Sequence, residues 1–343
     1  MCAQPSIARV GVSRDFLDDR GQNVWGDIGL SALTEAGISW EYLPQTVSTL
    51  SPSDIEGYDA LIIAAPAVTA ATFEGLAQPP QLIARFGVGY DAIDLTACTA
   101  AGTILTITPD GARRPVSTAT LTMILAVLHN LVVKDAIVRE GDWSRREQWM
   151  GRGLTGRTVG LLGLGNVAQD LVGLLAPFDC RIVAHDPYAS PAVADRLGVE
   201  LLDLIDLARR SDVLVVLSAL TEQTRGMVND QILQALPEGA IVVNLSRGPI
   251  IDESALIRAL ESGRLGGAGL DVFEQEPTRS TLRERDDVVL SPHSLAWTDE
   301  MSAGNGASCV RAVLDVAAGR RPRFVVNTEV LRQPRWASLK EDA

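Results

Sequence analysis

Residues 158–168 read Thr-Val-Gly-Leu-Leu-Gly-Leu-Gly-Asn-Val-Ala. An apolar run of strand type ends in Gly163-x-Gly165-x-x-Ala168 and passes into a helical stretch that stops before Pro177. In such a strand–turn–helix, Gly163 permits the tight turn and Gly165 lets backbone approach a pyrophosphate. Ala168 is small enough for the helix to pack on the strand. The helix N-terminus then offers free N–H groups to phosphates, starting at Asn166 and Val167. The next strand-like run, Arg181–His185, leads to Asp186, 21 residues after Gly165. A carboxylate there accepts hydrogen bonds from both ribose hydroxyls and repels a 2′-phosphate. Pro187 and Tyr188 follow, with no arginine to hold that phosphate, so NAD is favoured over NADP. Alone, the glycines fit an ordinary tight turn and Asp186 a turn residue before proline; their order favours a dinucleotide site.

Working outward, short β-branched runs alternate with helical stretches, the mark of a parallel-sheet α/β protein. The series containing the motif has expected strands at 158–162, 181–185, 213–217, 240–244, 267–270 and 288–290, enough for a doubly wound sheet. An earlier series has expected strands at 7–12, 38–43, 60–64, 82–86 and 103–106. After Pro292 comes one long helix, about Asp299–Ala318, then Arg323–Asn327, which reads as a strand. The chain therefore reads as two Rossmann-like domains. Residues 1–109 and 298–343 form a flavodoxin-like substrate domain, and residues 110–297 an inserted NAD-binding Rossmann domain. Two lobes joined by two crossings predict a hinge around a cleft.

Composition narrows the function. The chain has 343 residues, 46% hydrophobic and 21% charged, which is globular. Its formal net charge of −13 argues against nucleic-acid and anionic-lipid partners. Cys2, Cys98, Cys180 and Cys309 form no C-x-x-C pair and have no histidine near in sequence, so no metal site is expected. Scattered thiols fit a reducing cytoplasm. The first residues show no basic segment followed by a long apolar run, so no signal peptide is expected. The uncharged run Pro115–Val133 is too polar for a membrane span and reads as a buried or interface helix.

Further motifs carry a resemblance. They are Phe86-Gly-Val-Gly-Tyr-Asp91, Asn244-Leu-Ser-Arg247-Gly248-Pro-Ile-Ile-Asp252-Glu253, Gly269-Leu-Asp271-Val-Phe-Glu-Gln-Glu276-Pro277, and Ser291-Pro292-His293. With the glycine motif they resemble the D-isomer-specific 2-hydroxyacid dehydrogenase family over roughly residues 55–330. The resemblance implies two Rossmann-like lobes, NAD(H), a small 2-hydroxy or 2-oxo acid substrate and a homodimer. Reducing a 2-oxo acid needs a hydride donor, a cation for the carboxylate and carbonyl, and an acid for the new alkoxide. Arg247 follows a strand end, where its planar fork can grip two oxygens. His293 also follows a strand end, and histidine is the natural proton donor for such a reaction. By resemblance Glu276 hydrogen-bonds His293, orienting the ring and favouring its protonated form. His129 and His185 read as a helix residue and a strand end. By resemblance, too, Asp271 touches the nicotinamide amide. Ser218–Thr224, with Ala219 in place of the usual Pro, lies along the cofactor with Leu245 and Ser246. The backbone N–H groups of Val88 and Gly89 receive the substrate carboxylate.

Three departures bear on substrate. Val116-Ser117-Thr118 stands where the family commonly has Val-Ala-Glu, and Ala92 where Asn is frequent. Arg113-Arg114 just before is either a solvated basic pair or a clamp for a second anionic group. Two rivals remain. One is formate- or phosphite-type oxidation on the same fold, against which Glu276 weighs because formate enzymes have Gln there. The other is a non-enzymatic, NAD(H)-sensing corepressor.

Overall fold

The computed structural model describes residues 7–340, and by contacts the chain divides into two compact units. The first comprises Met1–Ala112 and Trp297–Ala343, the second Arg113–Ala296. The expected boundaries, after 109 and after 297, lie three residues early and one late. Cys2 and the segment read for a signal peptide begin outside the described residues.

The first unit carries β1 (Arg9–Val12), β2 (Ser39–Tyr42), β3 (Ala60–Ile63), β4 (Leu82–Arg85) and β5 (Ile104–Thr106). They pair in parallel in the order β2-β1-β3-β4-β5, the flavodoxin-like order. A parallel strand covered on both faces must be apolar throughout, and β3 is buried at every residue. The edge strand β2 instead alternates exposed and half-buried. On one face Val10, Val12 and Ile62 pack with Val310 and Val313 of the Asp299–Ala317 helix. Burying each such side chain contributes roughly 1.5–3 kcal/mol. Leu61, Ile63, Ile83 and Leu105 form the core on the other. Arg323–Asn327 does not form the expected strand. Pro322 precedes it, and Phe324 takes a left-handed φ of 57° that breaks the extended run. One antiparallel bridge, Thr106 to Val325, remains. The Asn327 side chain serves β5 instead, accepting from Leu105 N–H at 2.9 Å and donating to Thr103 O at 2.9 Å.

The second unit carries β6 (Thr158–Leu162), β7 (Arg181–His185), β8 (Glu200–Leu201), β9 (Val213–Val216), β10 (Ala240–Asn244), β11 (Leu265–Leu270) and β12 (Val288–Leu290). The order is β12-β11-β10-β9-β6-β7-β8, all parallel. The two-residue β8 was not expected; it is too short to show a pattern. β9 and β10 are buried throughout, as their Val-Leu-Val-Val and Ala-Ile-Val-Val-Asn sequences require. The strand order reverses between β6 and β9, the switch point at which ligands bind outside carboxyl ends.

The helix expected over Pro115–Val133 begins earlier, at Pro109, and runs to Leu128 with Pro115 inside it. The uncharged run breaks at Asn130, whose φ is 52°, and resumes as Leu131–Glu140, bent by 58° from the first helix. No single described helix is long and apolar enough to cross a membrane.

Candidate active site

At the end of β6, Gly163 has φ +99°, and a Cβ there would stand 2.9 Å from the Ser218 nitrogen. Only glycine lets these two loops meet. The Asn166–Leu175 helix starts after Gly165 with no side-chain cap, so its first N–H groups are left for a ligand. Gly165 and Asn166 are exposed and Val167 half-buried. Asp186 is locked beside this turn. One carboxylate oxygen accepts from Leu164 N–H at 2.8 Å, the other from Tyr188 N–H at 2.9 Å. On the loop after β9, the buried Ser218 hydroxyl has no hydrogen-bond partner among the described residues. Ser246 ties the next loop to it by donating to Ser218 O. Leu245, beside it, is buried. Thr224 closes its own loop by donating to Ala219 O at 2.7 Å. An open helix N-terminus, a fixed carboxylate and an orphaned hydroxyl on adjacent loops fit NAD.

The reacting residues stand on the loops after β10, β11 and β12. Arg247 is half-buried and one guanidinium nitrogen donates to Ser246 O at 2.8 Å. The next residue, Gly248, lies flat against the backbone of Phe273, where a Cβ would collide. That close approach sets the Arg247 loop against the loop of Glu276. Glu276 Oε1 accepts from Phe273 N–H at 3.0 Å, which aims Oε2 at His293 Nδ1, 2.8 Å away. With Nδ1–H given to the carboxylate, Nε2 is the atom left to carry or release a proton. Partial burial works against the charge on Glu276. The His293 bond, the Phe273 N–H and the nearby His293 and Arg247 charges outweigh it, holding the carboxyl below the usual glutamate range. Asp271, at the end of β11, is buried, and its Oδ1 accepts from Ser294 and Leu295 N–H at 3.0 and 3.1 Å and from the Ser291 hydroxyl.

In the first unit, Val88 is 40% exposed on the loop after β4, and Gly89 is half-buried. The loop is anchored at Gly87, whose N–H donates to Thr108 Oγ1 at 2.8 Å; that hydroxyl donates to the buried Asn305 at 2.8 Å. Phe86 packs on Trp25 (ring centroids 4.9 Å), and Trp25 on Trp297 (4.4 Å).

Arg113 and Arg114 are about half exposed and lie beside one carboxylate. Arg114 pairs with Asp170 of the Asn166–Leu175 helix at 3.1 Å and Arg113 reaches it at 4.0 Å; the Ser117 hydroxyl donates to its second oxygen. His185 Nδ1 lies 2.9 Å from Leu202 O, a structural role, and His129 is exposed at a helix end. No cluster of His, Cys, Asp or Glu able to hold a metal occurs among the described residues. Asn244 and Asp170 had no role assigned from the sequence.

Comparison with known proteins identifies the family. The model of the family described as D-isomer specific 2-hydroxyacid dehydrogenase, NAD binding domain, matches residues 121–294. D-3-phosphoglycerate dehydrogenase of Rattus norvegicus is 31% identical over 318 residues, 92% of this chain and 58% of that protein. The enzyme of the same name from Mycobacterium bovis is 38% identical over 272 residues, 78% of this chain and 51% of that protein. The chain thus spans little more than half the length of these relatives. The crystal structure of the TT0316 protein from Thermus thermophilus superposes with a TM-score of 0.80 at 30% identity, covering 93% of this chain and 99% of that one.

Proposed function

The chain belongs to the D-isomer-specific 2-hydroxyacid dehydrogenase family, its residues 121–294 being that family's NAD-binding domain, and from this premise we propose that it interconverts a D-2-hydroxy acid and its 2-oxo acid with NAD(H). One observation carries the reading: Arg247 and a 2.8 Å His293–Glu276 pair on three consecutive carboxyl-edge loops of one sheet. Gly163, Gly165, Asn166, Val167, Asp186, Ser218, Ala219, Thr224, Leu245, Ser246 and Asp271 would hold the cofactor. When bound, it supplies or accepts the hydride. Arg247 binds the substrate carboxylate and polarises the carbonyl. Val88 and Gly89 offer backbone N–H groups to the same carboxylate. His293 gives its Nε2 proton to the alkoxide on reduction and takes it back on oxidation. Glu276 holds the ring and balances its charge.

The free thiols Cys98, Cys180 and Cys309 support a reducing cytoplasm. A row of exposed apolar side chains from Leu131 to Met150 supports a homodimer. The test is NADH oxidation with a panel of unphosphorylated 2-oxo acids, with formate plus NAD as counter-assay. Turnover of a 2-oxo acid is expected. Turnover of formate alone, or NADH binding without turnover, would favour the formate-type or sensing readings.

A further inference from the structure

We infer that two buried polar side chains, Asn244 and Asp271, position the reacting groups: each folds the loop that carries one of them, and a main-chain bond joins the two. This rests on the reading of Arg247 and His293 given above. β10 is buried at all five residues, and four of them are apolar. An apolar fifth would bury as well without stripping water from an amide, so an asparagine there must find partners. Asn244 Oδ1 accepts from Ser246 N–H at 2.9 Å, and its Nδ2 donates to Arg247 O at 3.0 Å. The chain therefore doubles back within three residues, and Arg247 leaves the sheet edge at a fixed angle.

Asp271 does the same on the neighbouring strand. Its side chain receives Ser291, Ser294 and Leu295, and its carbonyl accepts from His293 N–H at 2.8 Å. His293 itself has φ 54°, a left-handed conformation that a side-chain-bearing residue keeps only where its surroundings over-determine it. The grip of one aspartate on residues 291–295 supplies that determination. An ionised carboxylate suits the task because three donors converge on a single oxygen. Finally, Asp271 N–H donates to Asn244 O at 3.0 Å, which fixes the two loops to each other. A misplacement of about 1 Å costs on the order of 100-fold in rate, so the two residues matter to catalysis without meeting the substrate.

Double-mutant cycles test this, read as kcat/KM for the best 2-oxo acid with NADH. Asn244→Ala should lower kcat/KM roughly 10- to 100-fold, mainly through the KM of the oxo acid, as expected when charge-assisted bonds from Arg247 are misaligned. In an Arg247→Ala background the same change should cost less than about 3-fold, because the group it positions is gone. Asp271→Ala should lower kcat and show the same dependence on His293, while Asp271→Asn, which keeps an acceptor for the loop, should recover most of the loss. In the Asn244 variants the NADH dissociation constant should stay near wild type. Equal losses in both backgrounds, or an unimpaired Asn244→Ala enzyme, would overturn the positioning roles. Additive losses with Asp271→Ala would remove its positioning role and leave it a cofactor contact alone. If an alanine variant fails to fold, Asn244→Ser and Asp271→Ser carry the same cycles. A wild type that turns over no 2-oxo acid removes the functional reading and these roles with it, whereas additive cycles in an active wild type remove the roles alone.

Discussion

Glu276 lends itself to a test of charge, because glutamine keeps its shape and hydrogen bonds. Its carboxyl is held below the ordinary range, so the native protein favours the carboxylate. The stability it contributes is therefore present above the pH at which an unfolded glutamate titrates, and is lost as pH falls through the lower folded value. Throughout the neutral range the negative charge faces His293. Reduction consumes the imidazolium and oxidation needs the neutral ring. In Glu276→Gln the reductive kcat/KM at neutral pH should fall by more than the oxidative kcat/KM, because the imidazolium loses its charged partner. Rate profiles in both directions check this, and superimposed profiles would mean that Glu276 does not tune proton transfer. Arg247, Glu276 and His293 were legible because each lies in a long ordered motif next to a strand end. Asn244 was legible as the first letter of the Arg247 motif, but its role was not, because the two loop bonds it makes are set by the fold. The Asp170 partner of Arg113 and Arg114 was not legible, because nothing in the sequence brings it beside them.

Elements were readable where burial dictated composition. β3, β9 and β10 are unbroken apolar runs because both faces are covered, and their bounds came within one residue. β8 was too short to signal itself, and Arg323–Asn327 looked like a strand until the left-handed Phe324 interrupted it. The β6–glycine–helix element was read almost to the residue, because each small residue there answers a steric demand. Asp186 belongs to this element as well as to the cofactor, since it also receives Leu164 N–H. Asp186→Ala should weaken NADH binding about 10- to 100-fold, the worth of charge-assisted bonds to a diol, and NADPH binding much less. Asp186→Asn should retain the turn while losing the repulsion toward a 2′-phosphate. Titrations with both nucleotides decide; a wild type that already prefers NADPH would reverse this assignment.

At the scale of the whole molecule, the mid-chain position of the glycine motif revealed an inserted domain. The proposed contact with another copy rests on a fainter trace. Leu131, Val132, Val138, Trp143 and Met150 are each more than half exposed, Met150 at 86%, within twenty residues of one unit. The Asn130 amide donates to Met150 O at 3.2 Å, bringing the returning segment beside the start of the Leu131–Glu140 helix. Leu131 and Val138 are seven residues apart and so share a face of that helix. Scattered single apolar residues are ordinary on a surface, but a contiguous set costs free energy in water unless something covers it. A second copy meeting the same set would cover both at once, as a two-fold interface does. Light scattering should therefore give twice the chain mass at micromolar concentration. Leu131→Glu with Val138→Glu places two carboxylates on each side of the contact and should yield the monomer mass. NADH binding should persist, since neither residue adjoins the Gly163 turn or Asp186. A wild type that sediments as a monomer, or a double variant that stays dimeric, would place the interface elsewhere.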